Sequence, residues 1–180
     1  MFLFVACGNS DKEIDQVIDQ KEKPQEESEN VTMILSDEGL PMYKLEAKKL
    51  IRFQEDSNSR MVCPEGMRVT FYDSLGVMES TLWANKGVYY GLKELIEVED
   101  SVRFENVKEE MLETNFLHLD FKRDCCYTND FAKVSNPKGY LAGYNMISDL
   151  KFKDYNIINI TGQAFYPEAL TSSPDEQQNP

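Results

Sequence analysis

The stretch LWANKGVYY, residues 82–90, contains the phrase that best predicts how this chain folds. Its leucine is followed two positions later by a small side chain, Ala84, and then by residues that favour strands. The phrase recurs at intervals of 37, 30 and 29 residues. Its copies are LEAKKL (45–50), LWANKG (82–87), LETNFL (112–117) and LAGYNM (141–146). An internal repeat of this length accommodates two to three strands, and alternating large and small inward side chains allow a sheet to roll closed.

Around these phrases, apolar and polar residues alternate with a period of two, which is typical of β-strands. MRVTFY at residues 67–72 is the plainest example. Turn-forming residues separate the strands, as in CPEG at 63–66 and SNPKG at 135–139. No segment carries a convincing helical stripe. The pattern therefore predicts one all-β domain, an antiparallel sandwich or roll, over residues 39–168.

Composition excludes several classes of function. The chain has 32 acidic and 19 basic residues, a net charge of −13, whereas nucleic-acid binding depends on clustered Lys and Arg. With His118 as its one histidine and no CxxC pair, it lacks the ligands of a zinc site. It also lacks the motifs of known catalytic sites. We expect no enzyme activity, no metal and no cofactor.

The adjacent Cys125 and Cys126 point to opposite strand faces, which favours buried apolar roles over redox chemistry.

The N-terminus has the features of a bacterial lipoprotein signal. The apolar run MFLFVA stops at Cys7, and small or polar residues follow it. In such signals the cysteine thiol becomes acylated, and the acyl chains hold the protein at a membrane surface. We predict that residues 1–7 are a partial signal with Cys7 as the lipidation site. A chance cysteine after a short apolar run is the alternative.

Two segments are predicted to lie outside the folded domain. Residues 8–38 are polar and acidic and read as a flexible tether, because they bury too little apolar surface to order themselves. Their weak helical pattern, Ile14, Val17 and Ile18, is more typical of a nascent or transient helix than of a docking site. For the same reason we predict that residues 169–180 form a disordered tail.

The ordered phrases resemble the LptC family and its relatives with the OstA-like fold. The closest passages are residues 82–90, LIEVEDSVRFEN at 95–106, and LET at 112–114, and the resemblance covers residues 43–162. It implies a twisted β-jellyroll, open at both ends, in the periplasm beside an inner-membrane ABC transporter. Such a domain receives lipopolysaccharide from the transporter and passes it to a periplasmic bridge protein of like fold. The best-known members carry a transmembrane helix where this chain carries Cys7, which leaves the mode of anchoring open.

The resemblance implies an apolar trough for acyl chains, and the period-two alternation supplies its candidate wall. The alternative is that these side chains fill a closed core. The candidate wall residues are Val69, Phe71, Leu82, Ile96, Val98, Val102, Phe104, Leu117, Leu119, Phe121, Ile158 and Ile160. The last strands, residues 140–162, are expected to carry the exposed edge that pairs with the bridge protein. The candidate edge residues are Gly139, Gly143, Tyr155, Ile157, Ile158 and Ile160.

A second function is compatible with the same sequence. A surface or periplasmic lipoprotein that binds glycans or mediates adhesion would share the signal, the acidic tether and the strands. Its aromatic side chains would cluster on one exposed face to stack on sugars, and Trp83, Tyr89 and Tyr90 are the candidates. A transport component should co-purify with an ABC transporter and with bound lipopolysaccharide, whereas an adhesin should be labelled from outside intact cells.

Overall fold

The computed structural model describes residues 24–53 and 59–165, which form strands and turns with no helix. The strands are β1 (Glu26–Asp37), β2 (Leu40–Phe53), β3 (Arg60–Cys63), β4 (Met67–Tyr72), β5 (Met78–Ala84), β6 (Lys86–Tyr90), β7 (Leu95–Asn106), β8 (Met111–Asp120), β9 (Cys125–Thr128), β10 (Ala132–Asn136), β11 (Gly139–Asp149) and β12 (Tyr155–Phe165). All belong to one sheet, and every pairing is antiparallel. The predicted all-β antiparallel fold is confirmed. Within these two ranges, no helix could span a bilayer.

The sheet is rolled into two layers because its long strands change partners along their length. The first part of β2 pairs with β4 and its last residues pair with β3. Similarly, β7 pairs with β5 and with β6, while β8 and β11 each pair with both β10 and β9. The first layer therefore contains β4, β5 and β10, and the second contains β3, β6 and β9. This arrangement is consistent with an open β-jellyroll.

The layers meet at a bend where the long strands turn from one to the other. Residues with positive φ lie at this bend, including Asn30, Asn145 and the pair Asp100 and Ser101. The pair forms a bulge in β7, because it interrupts the register with β8. Bulges increase the local twist and redirect a strand, which allows β7 to continue from one layer into the other.

The repeated phrases occupy equivalent positions in the first layer. Their four leucines lie in one row across the sheet and alternate there with residues of the intervening strands. The order is Leu45, Val69, Leu82, Phe104, Leu112, Val134 and Leu141. The small residues two positions later, such as Ala84 and Gly143, lie in the neighbouring row nearer the bend. Both rows face the interior, so the repeat gives the roll its large inner side chains and the small ones beside the bend.

The prediction of a tether reaching residue 38 is wrong for its last part, because residues 26–37 form β1. This strand pairs with β2 along its whole length. Most of its side chains are exposed, but Val31 and Met33 pack against the core. Pairing with the following strand in a hairpin orders a segment whose own composition is polar. The predicted signal at residues 1–7, the rest of the tether to residue 23, and the tail at 169–180 lie outside the described residues.

Candidate functional site

The interior between the layers is apolar and filled by side chains. Of the predicted wall residues, eight are at most 3% exposed: Val69, Phe71, Leu82, Val98, Val102, Phe104, Leu117 and Leu119. Ile96 and Phe121 are partly buried and pack against the same core. The structure therefore brings ten of the twelve predicted side chains together on the inner face.

The remaining two predicted wall residues, Ile158 and Ile160, do not join this core. Their side chains are 66% and 53% exposed, whereas Ile157 is 3% exposed and belongs to the core. Side chains alternate along β12, so the burial of Ile157 places Ile158 on the opposite face. The inward assignment of Ile158 is corrected to Ile157, and the error is one residue of register.

The margin of the interior opposite the bend is lined by aromatic side chains. Tyr43 lies edge-on to Phe71 of the first layer and to Phe121 of the second, with ring centroids 5.5 and 5.3 Å apart. Phe71 and Phe104 are 5.3 Å apart, and the contacts continue to Phe152 and Tyr155. Rings from both layers thus form one connected row, which we call the aromatic margin.

Phe152 enters the aromatic margin from the loop between β11 and β12, residues 150–154, which we call the closing loop. Phe152 is fully buried with a φ of 57°. The carboxylate of Asp149 accepts hydrogen bonds from the backbone N–H groups of Lys151, Lys153 and Asp154, at 2.7–2.9 Å. These bonds fix the loop in a tight turn, and Asn106 holds it to β7 by donating a hydrogen bond of 2.6 Å to the Phe152 carbonyl.

Two lysines of the closing loop join it to the first layer. The Lys151 ammonium donates a hydrogen bond of 2.7 Å to the Tyr72 carbonyl and lies 2.6 Å from the Glu79 carboxylate. Lys153 forms an ion pair with the other oxygen of Glu79. Burial disfavours the charged form of Glu79, but the two lysines outweigh it, and the pKa of Glu79 lies below its ordinary value. The closing loop therefore connects the layers on the side opposite the bend.

Sequence reasoning missed the closing loop. A short signal exists in the segment DLKFKD at 149–154, where a turn-forming Asp precedes Lys-Phe-Lys with an apolar residue between two cations. The turn-forming Asp149 and the charged residues beside Phe152 predict a turn here. They do not predict that the Phe152 ring is buried. Its burial depends on Glu79 and Asn106, which are more than forty residues away in sequence.

The titratable groups in the described ranges suit a structural role. Burial raises the pKa of the Cys63 and Cys126 thiols to about 12. His118 lies on the outward face of β8 between the buried Leu117 and Leu119, with its Nδ1 atom 3.5 Å from a Glu97 oxygen. Hydrogen bonding to His118 lowers the pKa of Glu97. Among residues 24–53 and 59–165, no group of three or more His, Cys, Asp or Glu side chains is placed to hold a metal ion.

The predicted edge residues lie in β11 and β12, and β12 pairs only with β11 among the described strands. A Cβ atom on Gly143 would collide with the Asn159 carbonyl of β12, and one on Gly139 would collide with that of Ala164. The two glycines therefore allow β12 to approach β11 closely. β1 is the other edge of the sheet, because it pairs only with β2 within the described ranges.

The three aromatic residues proposed for glycan stacking do not form one surface. Tyr89 and Tyr90 are consecutive in β6, so their side chains point to opposite faces of the sheet. Trp83 lies in β5 of the other layer, with the Arg103 guanidinium 5.8 Å from its ring. The described structure therefore offers no shared stacking face for these three side chains.

Comparison with known proteins adds one finding to this geometry. A family model described as "Lipopolysaccharide-assembly, LptC-related" matches residues 2–163, which include both layers and almost all of β12. No curated protein matches the chain.

Proposed function

The chain belongs to the LptC-related family of lipopolysaccharide-assembly proteins, and from this premise we propose how its two layers take part in transport. As a member of that family it is an envelope component of lipopolysaccharide transport. In our proposal it receives lipopolysaccharide from an inner-membrane ABC transporter and passes it to a periplasmic bridge protein of the same jellyroll fold.

The observation that carries this proposal is the continuous apolar inner face that runs between two open sheet edges. The inner row extends from Leu45 in β2 to Leu141 in β11, and the edges β1 and β12 flank it. Acyl chains need an apolar surface several strands wide, and the inner face of a roll presents apolar side chains at every second position. A surface open at both ends allows lipid to enter from one partner and leave toward another.

Lipid entry requires the layers to separate, because side chains fill the interior in this structure. The bend is continuous backbone, whereas the opposite side is held by the closing loop and the aromatic margin. We propose that the closing loop releases Glu79 and withdraws Phe152 when acyl chains enter. The loop contacts that would then break are the ion pairs at Glu79 and the hydrogen bonds that Lys151, Asn106 and Lys108 donate to backbone carbonyls. The ring contacts of Phe152 and the contact of Tyr43 with Phe121 would break with them.

In this proposal the periplasmic bridge protein, which accepts the lipopolysaccharide, adds a strand to β12. The unpaired edge of β12 offers its backbone groups to another chain, and the exposed Ile158 and Ile160 supply apolar contacts. The segment YNIINIT at 155–161 is uncharged and strand-prone, so a partner strand would also protect it from aggregation. In the same proposal, acylation of Cys7 anchors the chain to the inner membrane from the periplasmic side.

Photo-crosslinking in cells tests the lipid path. A benzoylphenylalanine probe at Phe121, in the aromatic margin, should form adducts with lipopolysaccharide, and so should one at Phe104. The neighbouring positions Lys122 and Arg103 are matched controls, because Lys122 has an exposed side chain and Arg103 points away from the interior. Adducts at the controls but not at Phe121 or Phe104 would contradict the proposal, as would a chain that never co-purifies with an ABC transporter.

A further inference from the structure

The outward face of the second layer carries a buried apolar cluster, which we call the outer patch. Its members are Ile51, Phe53, Val62 and Val88. Val62 is 0% and Val88 is 1% exposed. Met61 and Cys63, the neighbours of Val62 in β3, pack with the inner core, so alternation along the strand turns Val62 outward. The outer patch is therefore buried on the side of the sheet that faces away from the interior.

No described element lies over the outer patch. Each strand of the described ranges is part of the sheet itself, and the partly buried side chain that packs against the patch is Tyr90 of β6. A large side chain that projects from one face of a sheet remains accessible to solvent unless another layer covers that face. On the outward face of the first layer, the small Thr70 and Thr81 are 7% and 8% exposed between longer neighbours, but Arg68 is 46% exposed. The outer patch differs because it buries a side chain as large as Phe53 to 4% exposure. Burial of the outer patch therefore requires a covering segment.

The segment before β1 is the best placed of the three stretches outside the described ranges. Residues 54–58 read QEDSN and contain no apolar side chain. Residues 166–180 follow Phe165, which pairs with Gly139 in the first layer. In contrast, the backbone N–H of Gln25 donates a hydrogen bond of 2.9 Å to the carbonyl of Arg52, between Ile51 and Phe53 of the outer patch. The chain enters β1 beside the surface that needs a cover.

We propose that residues 11–22 dock on the outer patch as an amphipathic helix. Ile14, Val17 and Ile18 have the i, i+3, i+4 spacing of one helical face, and the following Pro24 favours a helix end before it. The stripe from Ile14 to Ile18 rises about 6 Å along such a helix, and the strands that carry the outer patch, β2, β3 and β6, together span about 10 Å. The apolar stripe thus matches the outer patch in chemistry and is short enough to lie within it.

Charge agrees with the same occupant. The polar faces of the segment carry carboxylates at Asp11, Glu13, Asp15, Asp19 and Glu22. Arg60 lies beside the outer patch with its guanidinium 4.4 Å from the ring centre of Phe53, and it is only 4% exposed. A guanidinium at a buried site is stabilised by nearby carboxylates. Packing against a preformed apolar surface also supplies the stability that so short a helix lacks in water.

Docking would set the distance between the jellyroll and the membrane, a consequence that rests on the proposed anchor at Cys7. A free chain from Cys7 to Gln25 can extend about 60 Å, but with residues 11–22 docked the free part is about 14 Å long. The domain would then stay close to the bilayer and would keep one orientation toward it.

A photo-crosslinking probe within the segment tests the contact in the full chain. Benzoylphenylalanine at Val17 should form intramolecular adducts with residues 51–53, 60–63 or 86–90, located by mass spectrometry. The matched control is Gln16, which lies on the opposite side of the same helix. Mixing isotope-labelled and unlabelled protein separates intramolecular from intermolecular adducts. Adducts from Val17 to the first layer or to another chain, or none at all, would overturn the proposal.

Charge-matched substitutions provide a second test that needs no probe. Ile18→Asp and Gln20→Asp both add one negative charge to the segment, but only the first places it against the outer patch. Ile18→Asp should lower the midpoint of urea unfolding measurably, and Gln20→Asp should leave it unchanged within error. Equal midpoints for the two variants would count against docking. Because neither test involves lipopolysaccharide, its failure is distinguishable from failure of the proposed transport function.

Discussion

At the residue scale, the strength of the closing loop depends on Glu79. Its side chain is 14% exposed and faces Lys151 and Lys153, which both come from the loop. Burial alone would favour the neutral carboxyl, yet the lysines lower its pKa below the ordinary value of 4.5. A group whose folded pKa is lowered stabilises the fold fully above its unfolded value, and this contribution is lost as the pH falls through the folded value.

We therefore predict a pH-dependent effect of Glu79→Gln. At pH 7 the variant should have a free energy of unfolding about 1 kcal/mol below that of the wild type, because the ion pairs to the loop are lost. Below pH 4.5 the difference should shrink toward zero. Urea unfolding at pH 7 and pH 3 measures it. Glu94→Gln is the control, since Glu94 forms an exposed pair with Lys122 and its removal should cost less than about 0.5 kcal/mol. A pH-independent difference would contradict this account.

At the scale of elements, the pairing of β11 with β12 depends on backbone proximity at particular glycines. Gly143 leaves no room for a Cβ atom, because the Asn159 carbonyl and the Ile157 side chain of β12 occupy that space. At Gly162, a Cβ atom would lie 3.8 Å from Tyr140 and 3.9 Å from Ala142, which is ordinary contact. The pairing of β12 with β11 is therefore expected to be sensitive to a side chain added at Gly143 and insensitive to one added at Gly162.

We predict that Gly143→Ala weakens the β11–β12 pairing and that Gly162→Ala does not. Overpacking at residue 143 should lower the free energy of unfolding by about 1–3 kcal/mol and accelerate amide exchange along β12. The same change at residue 162 should stay within about 0.5 kcal/mol. Hydrogen exchange measured by NMR or mass spectrometry reports on the strand directly. Equal protection of β12 in the two variants would show that the close approach at Gly143 is unimportant.

At the scale of the whole molecule, two layers enclose an apolar interior, and the closing loop and the aromatic margin lie at its edge opposite the bend. Cys63 lies on the inner face of the second layer and is 4% exposed, and Cys126 is 0% exposed. Both thiols have a pKa raised to about 12 by burial, so they remain protonated at neutral pH. Their reactivity therefore reports how often the interior opens to water.

We predict that the native protein protects these thiols from alkylation. In a Cys7→Ser background, iodoacetamide at pH 8 should react with Cys63 and Cys126 at least about 100-fold more slowly than with free cysteine, because the thiolate is the nucleophile. Both should react rapidly in urea. Labelling sites are identified by mass spectrometry after digestion. Rapid alkylation of Cys126 in the native protein would mean that the interior is open to water without lipid.

The sequence by itself determined the sheet and the inner side of most strands. Period-two alternation predicted twelve inward side chains, ten of which lie in or against the core, and the repeated phrase predicted the row that includes Leu82 and Leu112. These features are local, because the direction of a side chain in a strand depends on its position within that strand. The family resemblance came from the same phrases, and the family match to residues 2–163 confirms it.

Only the tertiary structure showed where contacts between strands and loops order or bury residues that the local sequence would leave exposed or unassigned. Residues 26–37 are acidic and look like a tether, yet β2 orders them as a strand. Phe152 lies between charged neighbours, yet Asn106 and Glu79 hold its loop so that the ring is buried. Val62 lies in the apolar run MVC at residues 61–63, which does not indicate a face, and the structure buries it on the outer side. β1 is ordered by its hairpin partner β2, and Phe152 by residues more than forty positions away, and local composition specifies neither contact.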